Sequence, residues 1–189
     1  MRVIAGLRKG HPLKAVPGSS TRPTTDKVKE ALFSMIGPYF DGGIALDLFA
    51  GTGGLGIEAL SRGVEKAILV DRDAKSIQTI KENVEKTKFQ TEVEVIRGDA
   101  LKCLDQFAAR GLSFELIFID PPYQGGFYRP CLQRLRESSM ISESTRIIVE
   151  SDPSNRDMDE ILLGWQRLKH AEYGSICIDV IALPMTEGE

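Results

Sequence analysis

The tetrapeptide Asp120-Pro121-Pro122-Tyr123 is the strongest candidate for chemistry in this sequence, and it directly follows the apolar run 114–119. The two prolines fix the backbone and remove two N–H donors, so the carbonyl groups there can only accept hydrogen bonds. The Asp120 carboxylate is also an acceptor, and the Tyr123 ring offers a face on which a base stacks. Taken alone, the tetrapeptide fits either a turn that ends a strand or a site that captures the amino group of an aromatic ring.

A glycine-rich segment is the second candidate site. Gly51, Thr52, Gly53 and Gly56 fit the spacing G-x-G-x-x-G between a predicted strand and a predicted helix. Glycine lets the backbone approach a ligand closely, and the first N–H groups of a helix attract anions. Asp71 ends the next predicted strand, where a carboxylate binds ribose hydroxyls. Loop and acid together predict a site for an adenosine-containing cofactor.

Two further aspartates narrow the choice of cofactor. Asp47 lies just before the glycine segment, where a nicotinamide site has an apolar residue. A carboxylate there suits an ammonium group, such as that of the methionine part of S-adenosylmethionine. Asp99 either accepts a hydrogen bond from an adenine amino group or caps the next helix, and the sequence leaves both open. We therefore expect S-adenosylmethionine, because a nicotinamide oxidoreductase explains neither Asp47 nor the proline corner.

The elements that must position these residues alternate along the chain. Strands are predicted at 44–48, 66–71, 92–97, 114–120 and 146–150, and helices at 54–62, 73–86, 102–110 and 128–138. This alternation predicts an α/β fold with a parallel sheet and helices on both faces. Runs at 166–172 and 175–183 predict a hairpin that adds an antiparallel strand. Because such sheets bind ligands at the carboxyl ends of their strands, the four aspartates are expected to lie together.

Residues 1–40 differ in character from the rest. We predict a hairpin and a helix at 26–36 as an amino-terminal extension, followed by a cofactor-binding domain at 41–189. The first 30 residues hold seven basic and two acidic side chains, although the whole chain has a net charge of −3. This excess predicts either an arm that contacts nucleic-acid phosphates or a solvated surface arm.

Composition excludes several other classes. The chain has 189 residues, of which 42% are hydrophobic and 27% charged, as in an ordinary globular protein. No apolar stretch approaches the roughly 20 residues that cross a bilayer, so we expect no membrane association. Cys103, Cys131 and Cys177 are widely spaced and only two histidines accompany them, which argues against a metal site and against disulfides. We expect a cytoplasmic protein.

Taken in order, the motifs resemble those of the class I S-adenosylmethionine-dependent methyltransferases, which have a Rossmann-like fold. The matching segments are 47–56, Asp71, 98–100 and the Asp120 tetrapeptide. Segments 2–6, 21–33 and 60–63 narrow the resemblance to the RsmD-type bacterial enzymes, which methylate guanine N2 in small-subunit (16S) ribosomal RNA. The resemblance thus implies ribosomal RNA as the partner, within a small-subunit particle.

The resemblance also implies roles for individual residues. The implied catalytic residues are Asp120, Pro121, Pro122 and Tyr123. The implied cofactor site consists of Asp47, Phe49, Gly51, Thr52, Gly53, Gly56, Asp71, Arg72, Asp99 and Ala100. We expect the basic arm to contact RNA through Arg8, Lys9, Lys14 and Arg22, the last of which lies in a family-like segment.

Two alternatives stay open within this resemblance. A DNA adenine-N6 methyltransferase would use the same proline corner, but 189 residues leave little room for a target-recognition insertion. A silent S-adenosylmethionine-binding protein is disfavoured because every motif residue is present.

Overall fold

The protein is built on a twisted seven-stranded sheet with helices on both faces; a computed structural model describes residues 1–19, 24–122 and 126–186. The strands are β1 (Ile44–Asp47), β2 (Lys66–Asp71), β3 (Val93–Arg97), β4 (Leu116–Ile119), β5 (Arg146–Ser151), β6 (Gln166–Tyr173) and β7 (Ile176–Ala182). The helices are α1 (Asp26–Ile36), α2 (Gly54–Ser61), α3 (Ala74–Lys86), α4 (Ala100–Ala109), α5 (Tyr128–Arg136) and α6 (Met158–Ile161). Within the described ranges, none of the helices has the length and apolar character to cross a membrane.

The strand order is β3-β2-β1-β4-β5-β7-β6. Strands β1 to β5 are parallel, whereas β7 runs antiparallel to both β5 and β6. This confirms the predicted parallel sheet with an antiparallel end. The chain moves outward from β1 to β3 and then returns to place β4 on the other side of β1. The order therefore reverses between β1 and β4, which is where sheets of this kind bind ligands.

Side chains that alternate along each strand divide the core into two layers. On one face, Ala45, Phe118 and Ile148 pack with helices α1, α2 and α3. On the other face, Ile119 and Val149 pack with α4, α5 and α6. The parity of a residue in its strand thus determines which helical layer its side chain faces.

The amino-terminal extension has less regular structure than predicted. Its predicted hairpin is a single antiparallel bridge between Arg2 and Pro12, with a short 3-10 turn at Gly6–Arg8. Two backbone hydrogen bonds flank this bridge, from the Val3 N–H to the His11 carbonyl and from the Leu13 N–H to the Met1 carbonyl, both at 2.9 Å, so the pairing does not require an N–H group on Pro12. The helix of the extension is α1, as predicted, and Thr25 caps it by accepting a hydrogen bond from Val28.

A buried charged cluster holds the extension on α2. The Glu58 carboxylate accepts hydrogen bonds from the backbone N–H groups of Ile4 (2.9 Å) and Ala5 (3.1 Å). It also lies 3.3 Å from Lys29 Nζ and 2.8 Å from Arg62 Nε. All three charged side chains are almost fully buried. The extension and the domain therefore share one core.

Candidate active site

A cleft of about 1160 Å³ lies above the carboxyl ends of the parallel strands. Ligand sites usually measure roughly 300–1,000 Å³, so this cleft has room for a cofactor and part of a second reactant. Residues 15–19 of the extension form part of its wall. The predicted site residues that line it are Asp47, Phe49, Gly51, Thr52, Asp71, Arg72, Asp99, Ala100, Asp120, Pro121 and Pro122. Tyr123 lies outside the described residues.

The glycine segment forms a tight turn between β1 and α2. Gly51 and Gly53 have φ angles of 58° and 80°, which favour glycine. Gly53 and Gly56 do not line the cleft. They are buried beneath it, and a side chain on either would meet Leu69 in β2. These two glycines therefore allow α2 to pack closely on the sheet and shape the cofactor site from below.

Asn83 on α3 fixes this turn, although the sequence did not single it out. Its amide donates hydrogen bonds to the carbonyl groups of Thr52 (2.9 Å) and Lys14 (3.0 Å). Its side-chain oxygen accepts one from the Lys14 N–H at 2.7 Å. The side chain is fully buried. Asn83 therefore joins the glycine turn to the extension, and no local sequence pattern marks an asparagine for such a role.

Asp47 has the environment expected of an ammonium-binding carboxylate. The residue is 2% exposed, and its Oδ1 has no hydrogen-bond partner among the described residues. Burial raises its pKa to about 8, with further contributions from the charges of Asp120 and Asp71. A buried acceptor without a partner is costly, and an ammonium group would remove that cost. This orphaned oxygen fits the methionine part of S-adenosylmethionine.

Asp71 and Asp99 occupy the next two strand ends. The Asp71 carboxylate accepts hydrogen bonds from the N–H groups of Gly51 and Asp73, each at 2.9 Å. Burial raises the pKa of Asp71. Asp99 caps α4 by accepting from the N–H groups of Leu101 and Lys102, both at 3.1 Å. Asp99 thus has the capping role that the sequence left open, and it also borders the cleft.

The proline corner follows β4, the neighbour of β1 in the sheet, and borders the same cleft as the glycine turn. Asp120 directly follows β4, and burial raises the pKa of its carboxyl to about 7. Pro121 is buried and Pro122 is exposed. Phe127, which the sequence did not indicate, packs on Phe49 with 5.4 Å between ring centroids, and both rings border the cleft. The described part of the cleft therefore contains an aromatic pair in addition to the predicted Tyr123.

Another residue that sequence reasoning missed is Glu150, near the end of β5. It is 8% exposed, lines the cleft, and has an Oε2 atom without a hydrogen-bond partner among the described residues. Burial raises its pKa to about 8, assisted by the charges of Asp120 and Asp47. The signal that could have found it was the same as for the aspartates, namely an acid at the carboxyl end of a parallel strand.

The basic arm does not reach the cleft as one unit. Arg8 Nε donates to the Thr87 carbonyl at 2.7 Å, and its guanidinium lies 5.2 Å from the Phe89 ring centroid. Thr87 follows the carboxyl end of α3, whereas the cleft borders the first turn of that helix. Lys14 Nζ pairs with Glu82 at 2.7 Å, close to the wall of the cleft. Lys9 is exposed, and Arg22 lies outside the described residues.

One group of three possible metal ligands is present in the described part of the chain. His170, Glu172 and Cys177 place one donor atom each within 4.8 Å of one another on the β6–β7 hairpin. The His170 Nδ1–H group donates to the Asp179 carboxylate at 2.7 Å, and this bond raises the pKa of His170. The acids around the ring favour its protonated form, in which both nitrogens carry protons and neither is free to bind a metal. We interpret this group as an ion-pair cluster.

Residues 1–182 match the family model described as Conserved hypothetical protein 95. The chain belongs to this family. The Bacillus subtilis protein YlbH is 55% identical over 152 residues, which are 80% of this chain and 83% of its own. Ribosomal RNA small subunit methyltransferase D of Haemophilus influenzae is 35% identical over 153 residues, which are 80% of this chain and 79% of its own.

The family membership agrees with the solved structures that resemble this one. The Escherichia coli protein yhhF superposes with a TM-score of 0.81 and 29% identity over 98% of this chain and 99% of its own. The fold is that of the class I methyltransferases, whose cofactor is S-adenosylmethionine. The orphaned Oδ1 of Asp47 and the carboxylate of Asp71, which both line the cleft, fit that cofactor.

Proposed function

We propose that this protein methylates 16S ribosomal RNA at the N2 amino group of a guanine, with S-adenosylmethionine as the methyl donor. The observation that carries the proposal is one cleft that contains both an unpartnered ammonium-type acceptor, Asp47, and an acceptor-only corner at Asp120. The printed name of the Haemophilus influenzae relative, a small-subunit ribosomal RNA methyltransferase, supports the choice of RNA.

On the cofactor side, the residues of this chain bind and orient. Asp47 pairs with the ammonium group, and Asp71 accepts hydrogen bonds from the ribose. Asp99 and Ala100 border the position of the adenine. When bound, the cofactor supplies an electrophilic methyl group on a sulfonium. Asp47 and Asp71 would hold the cofactor in the cleft that Asp120 also lines.

On the substrate side, the target nitrogen has its lone pair delocalised into the guanine ring and is a weak nucleophile. The Asp120 carboxylate and the Pro121 carbonyl accept the two amino hydrogens and orient the nitrogen. Both oxygens also stabilise the positive charge that develops on it. A carboxyl with a pKa of about 7 is suited to take the proton that the methylated nitrogen releases. Tyr123 stacks on the base in this proposal.

The RNA backbone contacts the protein through the basic residues of the extension. Lys9, Lys14 and Arg22 are the proposed contacts. Arg8 is engaged with Thr87 and Phe89, so we assign it a smaller share. The substrate is a small-subunit particle, in which the protein of the particle supplies part of the binding surface.

A methylation assay tests the proposal. Small-subunit particles and free 16S RNA from cells that lack the protein are incubated with labelled cofactor, beside an adenine-containing DNA duplex. We expect label in particle RNA as N2-methylguanosine after nucleoside digestion, and none in the DNA. Label in adenine, or no label in either RNA, would overturn the proposal.

A further inference from the structure

Glu150 and Asp120 are neighbours across two adjacent parallel strands. In the register of β4 and β5, Ile119 lies opposite Val149, so the next residue on each strand brings these two acids side by side. Residues two apart on a strand point to the same face of the sheet, so Asp120 shares its face with Phe118, and Glu150 shares its face with Ile148. Both side chains therefore face the α1–α3 layer and the same cleft.

The backbone of Glu150 is firmly held, but its carboxyl lacks a partner. The Tyr128 hydroxyl donates to the Glu150 carbonyl at 2.8 Å. The strand pairs on both sides, with β4 and with β7. Oε2 nevertheless has no hydrogen-bond partner among the described residues. A buried polar atom of this kind is rare in proteins and requires an explanation.

Lys29, Arg72 and Lys75 line the cleft with Glu150, but among the described residues no ion pair joins a cation to it. Asp47 on β1, Asp71 on β2 and Asp120 after β4 line the cleft with it. Lys29 on α1 also borders the cleft, but its Nζ binds the Arg2 carbonyl (2.5 Å) and Glu58 (3.3 Å). Asp152 is half-buried and accepts from the N–H group of Ser154. Adjacent buried carboxyls without a cation do not all ionise, and they share protons instead.

We propose that Glu150 is a positioning residue for Asp120, with its protonated carboxyl donating a hydrogen bond from Oε2 to the Asp120 carboxylate. This inference rests on the proposed function. The bond gives the orphaned Oε2 a partner and turns one Asp120 oxygen away from Glu150, toward the target amino group. Burial and the charges of Asp120 and Asp47 raise the pKa of Glu150 to about 8, so its proton is present at neutral pH.

The protons on the Asp120 and Glu150 pair balance over one turnover. The N–C bond forms while the S–C bond breaks, and the electron pair of the broken bond goes to sulfur. The nitrogen then gives one proton to Asp120. The pair starts with one proton, on Glu150, and ends with two, and the added proton passes to solvent when the product leaves.

Two substitutions test whether Glu150 acts as a hydrogen-bond donor, as an acid, or only as a packing residue. Glu150→Gln keeps a donor at this position at every pH, whereas Glu150→Leu fills similar space without one. Asp152→Asn is the matched control, because it removes a carboxyl that borders the same cleft. The assay measures kcat and KM with particles between pH 6 and 9, with cofactor binding and thermal melting measured in parallel.

We expect the wild type to lose kcat below about pH 7, where Asp120 becomes protonated, and above about pH 8, where Glu150 loses its proton. Glu150→Gln should keep kcat within about threefold at pH 7.5 and lose the alkaline decline. Glu150→Leu should lower kcat at least tenfold, with KM and cofactor binding within about twofold, as for a residue that acts on the chemical step. Asp152→Asn should retain the wild-type profile.

Other results would overturn the inference. These are equal loss in the Gln and Leu variants, an alkaline decline that persists in Glu150→Gln, or full activity in Glu150→Leu. If the Leu variant does not fold, the profile of Glu150→Gln decides alone. Absence of methylation by the wild-type protein would instead contradict the proposed function, so the two failures are distinguishable.

Discussion

At the scale of single residues, the cleft contains several carboxyl groups whose ionised form is destabilised by burial. Asp47, Asp120 and Glu150 are buried together, and the pKa of each is raised to between about 7 and about 8. A carboxyl whose pKa is raised in the folded state keeps its proton up to a higher pH than it does in the unfolded chain. Stability of the ligand-free protein is therefore expected to fall as the pH rises from about 4 through about 8.

Asp47→Asn should stabilise the ligand-free protein, because it removes a buried charge that no cation neutralises and whose Oδ1 has no hydrogen-bond partner among the described residues. We expect a gain of about 1–3 kcal/mol at pH 8, and a smaller gain at pH 5, where the wild-type carboxyl already holds its proton. Urea unfolding at both pH values measures this. An equal gain at the two pH values would contradict the assigned pKa shift.

Cofactor binding should release a proton from the wild-type protein, because Asp47 must ionise to pair with an ammonium group. Calorimetric titration at pH 6.5 in two buffers with different ionisation heats measures the number released. We expect close to one proton for the wild type and much less for Asp47→Asn, which should also bind more weakly. A similar release from both proteins would mean that the proton comes from another group.

Asp120→Ala should abolish methyl transfer and spare the cofactor. The expected loss in kcat is at least about 100-fold, the scale of a missing general base. Cofactor affinity should stay within a few-fold, since Asp120 follows β4 and lies outside the glycine turn. If calorimetry instead showed that the variant had lost cofactor binding, Asp120 would be a cofactor ligand.

At the scale of elements, α2 connects the two parts of the molecule. Its amino end begins at the glycine turn, and its buried Glu58 binds the extension through Ile4, Ala5 and Lys29. Arg62, one turn further on, donates to Glu58 and lies 4.8 Å from the Phe33 ring centroid in α1. The Glu58 carboxylate is therefore one of the groups that hold the extension beside the cleft, together with Asn83.

Glu58→Gln should destabilise the protein by about 3–5 kcal/mol, because it leaves two buried cations without a counter-charge. Glu94→Gln is the matched control, since Glu94 pairs with Arg110 on the surface. An exposed pair contributes only about 0–1 kcal/mol. Urea unfolding measures the stability of both variants. Equal losses would show that the buried cluster stabilises the protein no more than an exposed ion pair does.

At the scale of the whole molecule, the amino-terminal extension carries an excess of basic residues, whereas the rest of the chain is acidic. Arg8 is fixed against Thr87 and Phe89, far along α3 from the cleft, whereas Lys14 is next to the cleft wall. The arm therefore follows the length of α3. This places Lys9 and Lys14 where an RNA backbone could run from the edge of the molecule toward Asp120.

Neutralising Lys9 and Lys14 to Gln should raise the KM for RNA and flatten its salt dependence. Two lost phosphate contacts should reduce the slope of log affinity against log salt by about 1.4–1.8. The control is a double substitution of Lys66 and Lys169 to Gln, which are exposed lysines elsewhere on the surface. If both double variants keep the wild-type slope, RNA is held by other parts of the protein or by the particle.

Local patterns in the sequence were enough to predict the sheet, the glycine turn and the strand-end aspartates. These follow from local patterns, since alternation of strands and helices forces parallel strands whose carboxyl ends share one edge. The predicted bounds of β2 and α1 agree with the structure, and the other elements differ by a few residues at their ends. Local hydrogen bonding and apolar spacing decide such elements.

Contacts between residues that are far apart in the sequence could not be predicted from local patterns. The pairing of Glu150 with Asp120 depends on β5 lying beside β4, and the contact of Arg8 with Thr87 joins residues 79 positions apart. Likewise, no local sequence pattern marks Glu58 as buried, and its burial results from the packing of α1 and the extension on α2. Burial and partners are properties of packing between elements, and packing is what converts an ordinary acid into one that holds a proton at neutral pH.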